Sequence, residues 1–223
     1  MTETEPLDPL ALFERPAALG ERGAKARRRA FADQVWVRPA PSHPTPAVAA
    51  LLRDWSRDES RDQSRDQSRD EKVTALAAWP EPDALRVGDR VILQVTATAG
   101  HRHRYVAWLR ALAEAAPASL SVAPCSADDG GMHRLWCIAT ARVLLPDHVH
   151  VEARHDLLGI RLAQLAVGFG ADTLAGPVEP DRTLPLAGVT RPDEATAAGL
   201  ATLVRQVGLT PRTTRPHGPS NPS

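Results

Sequence analysis

The chain has 223 residues, 43% of them hydrophobic but only 4% aromatic, and its 27 basic and 27 acidic residues balance. That suits one domain with appendages, with a core resting on Ala, Val and Leu, and it excludes a global field that would draw nucleic acid or an anionic membrane. No apolar run approaches the ~20 residues of a membrane span, and the acidic start MTETEPLDPL has no apolar signal core, so no membrane partner and a cytoplasmic location are expected.

The first predicted element is helical, over residues 7–34, with Leu10, Phe13, Ala17 and Leu19 around an interruption at Pro16. QVWVRP (34–39) is a short β-prone run closed by proline. APSHPTP then marks a linker, and AVAALLRDW (47–55) is a short amphipathic helix candidate. Four tetrapeptides follow, SRDE, SRDQ, SRDQ and SRDE, from Ser56 to Glu71. Each Asp stands three residues before the next Arg, a pairing worth about 0.2–0.5 kcal/mol on a helix, but the repeat has no apolar face to bury. It reads as a solvated spacer in which each arginine's charge is cancelled by its aspartate.

From Val73 the character changes. VTALAAW is strand or helix, and DRVILQVTATAG (89–100) contains a buried-strand run. RYVAWLRALAEAA (104–116) is a helix, ASLSVAP a strand ended by Pro124, and GGMHRLWCIATARVLL (130–145) a helix with Leu135, Ile138, Ala139 and Val143 inward. HVHVEA is a strand and LLGIRLAQLAVGFG a helix; TLAGPV is strand or loop. RPDEATAAGLATLVRQVGLTPR closes the pattern as a helix starting at Thr190 or Asp193 and stopping at Gly208 and Pro211. Strands alternating with helices predict an α/β fold with a mostly parallel sheet, too small for eight βα units. The expected fold class is a partial TIM-type barrel of about five or six strands with flanking helices. The organisation reads as an N-terminal helical arm and first strand (1–38), a linker (39–72), the partial barrel (73–212) and a disordered tail (213–223).

Three chemical signals can be weighed on the residues alone. The glycines of LAVGFGADTLAGPV (165–178) follow a helix, whereas a phosphate-cradling G-x-G-x-x-G follows a strand and opens a helix; the stretch reads as a helix C-cap. Cys125 and Cys137 have no metal spacing and read as small buried hydrophobes. His101 and His103 form one H-x-H, His148 and His150 another. Alternate strand residues share a face, so His148, His150 and Glu152 are an alternative set of metal ligands, although the two histidine pairs can fall at opposite ends of the sheet. Asp128–Asp129 before two glycines is a turn, and no nucleophile elbow is present.

LWCIATARVLLPDHVHVEARHDLLGIRLAQLAVGFGADTLAGPV (135–178) resembles the C-terminal part of the radical S-adenosylmethionine enzymes of futalosine-dependent menaquinone biosynthesis, the aminofutalosine synthase and dehypoxanthine futalosine cyclase group. TATAGH (96–101) with YVAWLRAL, the closing EATAAGLATLVRQVGLTPR and the opening PAALGERGAKARRR resemble the same proteins. The resemblance implies that GFGADTLAG turns into the last barrel strand. It also exposes two departures. The family's C-x-x-x-C-x-x-C, which holds the iron–sulfur cluster, is replaced by the cysteine-free VWVRPAPSHPTP, and the glutamate of its Gly-His-x-Glu turn is His103. The implied protein is a degenerate relative without cluster or cofactor, a partner or ligand-binding module in place of an enzyme. The other class is a cluster-free enzyme using a residual pocket of Thr96, Thr98, His101, His150, Glu152 and Asp172. The truncated barrel is expected to cover its edge by docking Val35–Val37 beside Val91–Val95 or Val73–Leu76; an uncovered edge would recruit a protein partner or a second copy.

Overall fold

The computed structural model describes residues 8–39, 50–52, 79–126, 130–180, 183–186, 189–194 and 196–213. The Ser-Arg-Asp repeat, the Val73–Ala78 run, Asp128–Asp129 and the tail from Thr214 onward lie outside them.

The fold is α/β with an open, partly curled sheet. Its elements are α1 (Pro16–Phe31), β1 (Gln34–Pro39), β2 (Ala50–Leu52), β3 (Arg90–Gln94), α2 (Ala99–Ala115), β4 (Ser121–Cys125), α3 (Gly131–Leu144), β5 (His150–Arg154), α4 (His155–Leu158), α5 (Ile160–Val167), β6 (Thr173–Gly176), the hairpin β7 (Thr183–Leu186) and β8 (Val189–Pro192), α6 (Ala197–Gln206) and β9 (Thr210–Thr213). The main sheet runs β2-β3-β4-β5-β6-β1-β9; six strands are parallel and β2 is antiparallel to β3.

Period two sorts the strand residues onto two faces. Val35 and Val37, Val91 and Leu93, Val122, Val151 and Ala153, and Leu174 all point outward, and with the apolar faces of α1, α2, α3, α5 and α6 they make one continuous core. The alternate residues line the opposite, concave face: Trp36 and Arg38, Arg90, Ile92 and Gln94, Ser121, Ala123 and Cys125, His150, Glu152 and Arg154, Thr173 and Arg212. Arg38 of β1 reaches Ser121 of β4 at 3.0 Å. Those strands are three places apart in the sheet, about 14 Å if it were flat, so the sheet must curl around this face as a barrel does.

Several expectations are corrected. Strand β1 does not dock beside β3; it lies between β6 and β9, pairing Trp36 with Thr173 and with Arg212. The cause is α1, whose Gly20 and Gly23 bring it against Phe169 at the α5–β6 turn, so the chain leaves α1 beside β6. The β3 edge is instead covered by Ala50–Leu52, within the stretch expected to be helical, because an open strand offers backbone partners that outweigh a short helix's weak propensity. The LLGIRLAQLAV helix is broken into α4 and α5 by Gly159, at φ +82. The closing helix starts at Ala197, where Thr196 accepts from the Gly199 N–H, and it ends before Gly208 at φ +75; Pro211 then belongs to an unforeseen strand, β9. Pro124 does not end β4, which continues to Cys125. The glycine-rich stretch is a helix end and a turn into β6, which pairs with β5 and β1 and is not the last strand of the sheet, since β9 follows it in the chain. No helix among the described residues is long and apolar enough to cross a membrane.

Candidate functional site

The six residues expected to form one pocket fall in three places. Thr96, Thr98 and His101 lie past the C-terminal end of β3, where Thr98 caps α2. The Thr96 N–H donates to His101 Nδ1 at 2.9 Å, the two threonine hydroxyls are 3.1 Å apart, and the ring of His101 lies against Trp79. Burial, then the charge of Arg104, lowers the pKa of His101. With Nδ1 already accepting, this histidine serves the β3–α2 turn. His103 lies on the same helix, with Nδ1 2.8 Å from the Ala99 carbonyl, which accepts from it.

His150 opens β5 at the opposite, N-terminal end of the sheet, and here the structure does bring two expected residues together. Nδ1 of His150 is 2.7 Å from Oδ1 of Asp172. A carboxylate accepts, so Nδ1 donates and Nε2 is left for a partner other than Asp172. The fully buried Asp172 is fixed by the Thr173 hydroxyl at 2.8 Å, the Val151 N–H at 2.8 Å and Arg142 at 3.3 Å. Arg142 also donates to the carbonyls of Val149, Leu145 and Pro146, tying the α3–β5 loop shut. Burial lowers the pKa of Arg142, with Asp172 opposing. The imidazole stacks on Phe31 (centroids 5.4 Å) and meets Trp36 edge-on (6.3 Å).

Glu152 is the third place. It shares the concave face with His150 but turns to arginines that the sequence reading did not single out. Arg90 binds it bidentately at 2.9 and 2.8 Å, and Arg38 approaches at 3.5 Å. Burial raises the carboxyl's pKa, but the charge and hydrogen bonds of Arg90, then Arg38 and Arg154, outweigh it, so the net direction is down. Toward the C-terminal end of the same face, Arg154 holds Asp156 bidentately at 3.0 and 2.6 Å. Beside them, Ile92, Ala123, Cys125 and Leu157 form a small apolar patch. Burial pushes the Cys125 thiol up to about 12, so it is not a nucleophile.

The alternative metal set does not form. His148 is exposed and precedes β5, with Nε2 3.3 Å from the Ala116 carbonyl; His150 is bound to Asp172 and Glu152 to Arg90. No group of three or more His, Cys, Asp or Glu suited to a metal occurs among the described residues. Both cysteines are buried and outside any disulfide, in β4 and α3.

Arg38, Arg90 and Arg154 were legible only as strand residues on the face shared with Glu152; alternation, taken from β5 to its neighbours, is the signal that could have found them. Neither a scan against protein-family models nor a search of curated proteins returns any match for this chain.

Proposed function

We propose that this chain is a degenerate relative of the futalosine-pathway radical enzymes that has kept an open barrel scaffold and holds a small-molecule ligand on its concave face. One observation carries the ligand-binding part: the concave face is built on an ionic network, Arg38–Glu152–Arg90 with Ser121. A barrel interior that served stability alone would be filled with branched aliphatics, since a buried ion pair rarely improves on them. The relationship to the radical enzymes rests on the sequence resemblance alone. With two cysteines in the chain, three cluster thiolates cannot come from one copy, which supports a non-catalytic reading. A cytoplasmic location belongs to the same proposal and is supported by the cysteine usage, two buried residues outside any disulfide.

The test has two arms. Anaerobic reconstitution with iron and sulfide should leave no thiolate–iron absorbance near about 400 nm. A thermal-shift screen of neutral and charged metabolite-sized compounds should give at least one saturable hit whose fluorescence signal is lost in Trp36→Phe. A stoichiometric cluster, or a screen with no Trp36-dependent hit, would overturn the proposal.

The His150–Asp172 pair favours a second reading, a cluster-free enzyme. A buried carboxylate fixing the imidazole tautomer is what a general base requires. That reading needs turnover that His150→Gln abolishes while ligand binding survives.

A further inference from the structure

Among the described residues, the unmatched groups that β1 presents on the concave face are donors. Trp36 and Arg38 stand two residues apart on β1, about 6.6 Å along the strand, and share that face. The indole Nε1 of Trp36 is shielded from solvent and has no hydrogen-bond partner among the described residues. It can only donate, and a buried donor left without an acceptor is costly, so the site favours a ligand that supplies one. Arg38 carries five N–H groups; among the described residues only Nη1 is engaged, by the Ser121 hydroxyl at 3.0 Å and by Glu152 at 3.5 Å. That Glu152 oxygen already accepts from Arg90.

Charge points the same way. Arg38, Arg90 and Arg154 face Glu152 and Asp156, and each acid is taken bidentately by one arginine, Glu152 by Arg90 and Asp156 by Arg154. Among the described residues these three cations outnumber the two acids, and Arg38, 3.5 Å from Glu152, is the one that neither acid holds bidentately; exposed Arg212, paired in register with Trp36, adds another at the rim. The Arg38 side chain is 25% exposed, so a ligand can reach it. It lies near the C-terminal end of β1, the end of parallel strands where barrel sites open.

We infer that the ligand of this face is an oxyanion-bearing small molecule, a carboxylate or a phosphate, whose anionic oxygens are taken by Arg38 and whose nearby acceptor oxygen is taken by the Trp36 indole N–H. A planar guanidinium fork suits either anion, and both unmet groups ask for oxygen acceptors. The Ile92–Ala123–Cys125–Leu157 patch gives an apolar body somewhere to lie. This rests on the ligand-binding reading above.

The test is titration calorimetry at fixed ionic strength, with inorganic phosphate and acetate as separate probes, so that surface screening stays constant. At least one anion should bind saturably at one per chain, and which one does identifies the source. Arg38→Gln should weaken it about tenfold or more, and Trp36→Phe about threefold to tenfold. Arg104→Gln, which removes a cation stacked on Trp79, should leave it unchanged. If Arg38→Gln does not fold, Arg38→Lys, which keeps the charge and loses the fork, should show the weakening. Equal affinity in the wild type and every foldable Arg38 variant, or no binding of either anion, overturns the inference. Neutral hits that need Trp36 would then leave the ligand-binding reading standing, and the absence of any Trp36-dependent hit would remove both.

Discussion

Glu152 occupies a position where a barrel strand ordinarily places an aliphatic side chain, and its charge is tolerable only because Arg90 holds both carboxylate oxygens. Replacing one partner of such a pair strands the other. Glu152→Gln should therefore cost about 3–5 kcal/mol, read from urea denaturation. The pH dependence has a definite sign. The folded pKa lies below the ordinary 4.5, so the contribution is present above that value and is lost as pH falls through the folded pKa. Wild-type stability should fall across that acid window more steeply than that of Glu152→Gln; parallel curves would show that Glu152 is not charged in the folded protein. Asp172 is the contrasting case. It is a carboxylate at a strand's entry that closes a loop through Arg142 and orients His150, so its buried charge is divided between architecture and the candidate site.

Helix α1 decides where β1 emerges, and a glycine decides where α1 can sit. A Cβ on Gly23 would lie 2.3 Å from the Phe169 carbonyl oxygen, a backbone atom that cannot swing aside. Alanine would gain about 1 kcal/mol of helix propensity, but relieving such a contact costs typically 1–3 kcal/mol, and more when backbone must move. Gly23→Ala should destabilise the fold by a net of about 1–2 kcal/mol, read as a lower denaturation midpoint at an unchanged m-value. An unaltered midpoint would mean that α1 slides on α3 without consequence for β1. The break between α4 and α5 has the same origin in a single residue, Gly159 at φ +82, which redirects the chain and aligns Ala163, Ala166 and Val167 with the core.

A sheet that does not close keeps two edges, and the whole molecule treats them differently. One is occupied by β2 running antiparallel to β3. The other is β9, paired only with β1 among the described residues. Thr210 donates to the Asp33 carbonyl, so alternation turns Pro211 to the open side, where a ring nitrogen offers no donor to an incoming strand. Together with exposed Arg212, this blunts the edge against a second copy or a protein partner. Pro211→Val restores a donor and a β-branched side chain, and it should shift the protein toward dimers in light scattering after size exclusion. An unshifted monomer at high concentration would show that another feature protects the edge.

The sequence by itself determined the alternation of strand and helix from Arg90 to Gly176, the parallel sheet with its open barrel character, and the valine and leucine face beneath the helices; the β7–β8 hairpin and β9 beyond it were not read. These depend on local periodicity, which is written residue by residue. It also placed His150 and Asp172 on the candidate list, and the structure joins them at 2.7 Å. Tertiary structure alone decided the rest. β1 went beside β6 because two glycines let α1 approach Phe169, and Ala50–Leu52 became a strand because β3 offered an edge. Neither fact is visible in local propensity. Thr96, Thr98 and His101 separated from His150 because one group ends a parallel strand and the other begins one, so a strand's length parts them. Glu152 left the histidines for Arg90 and Arg38 because curvature brings β1, β3 and β5 within side-chain reach, and curvature is a property of the assembled sheet, which no single strand encodes.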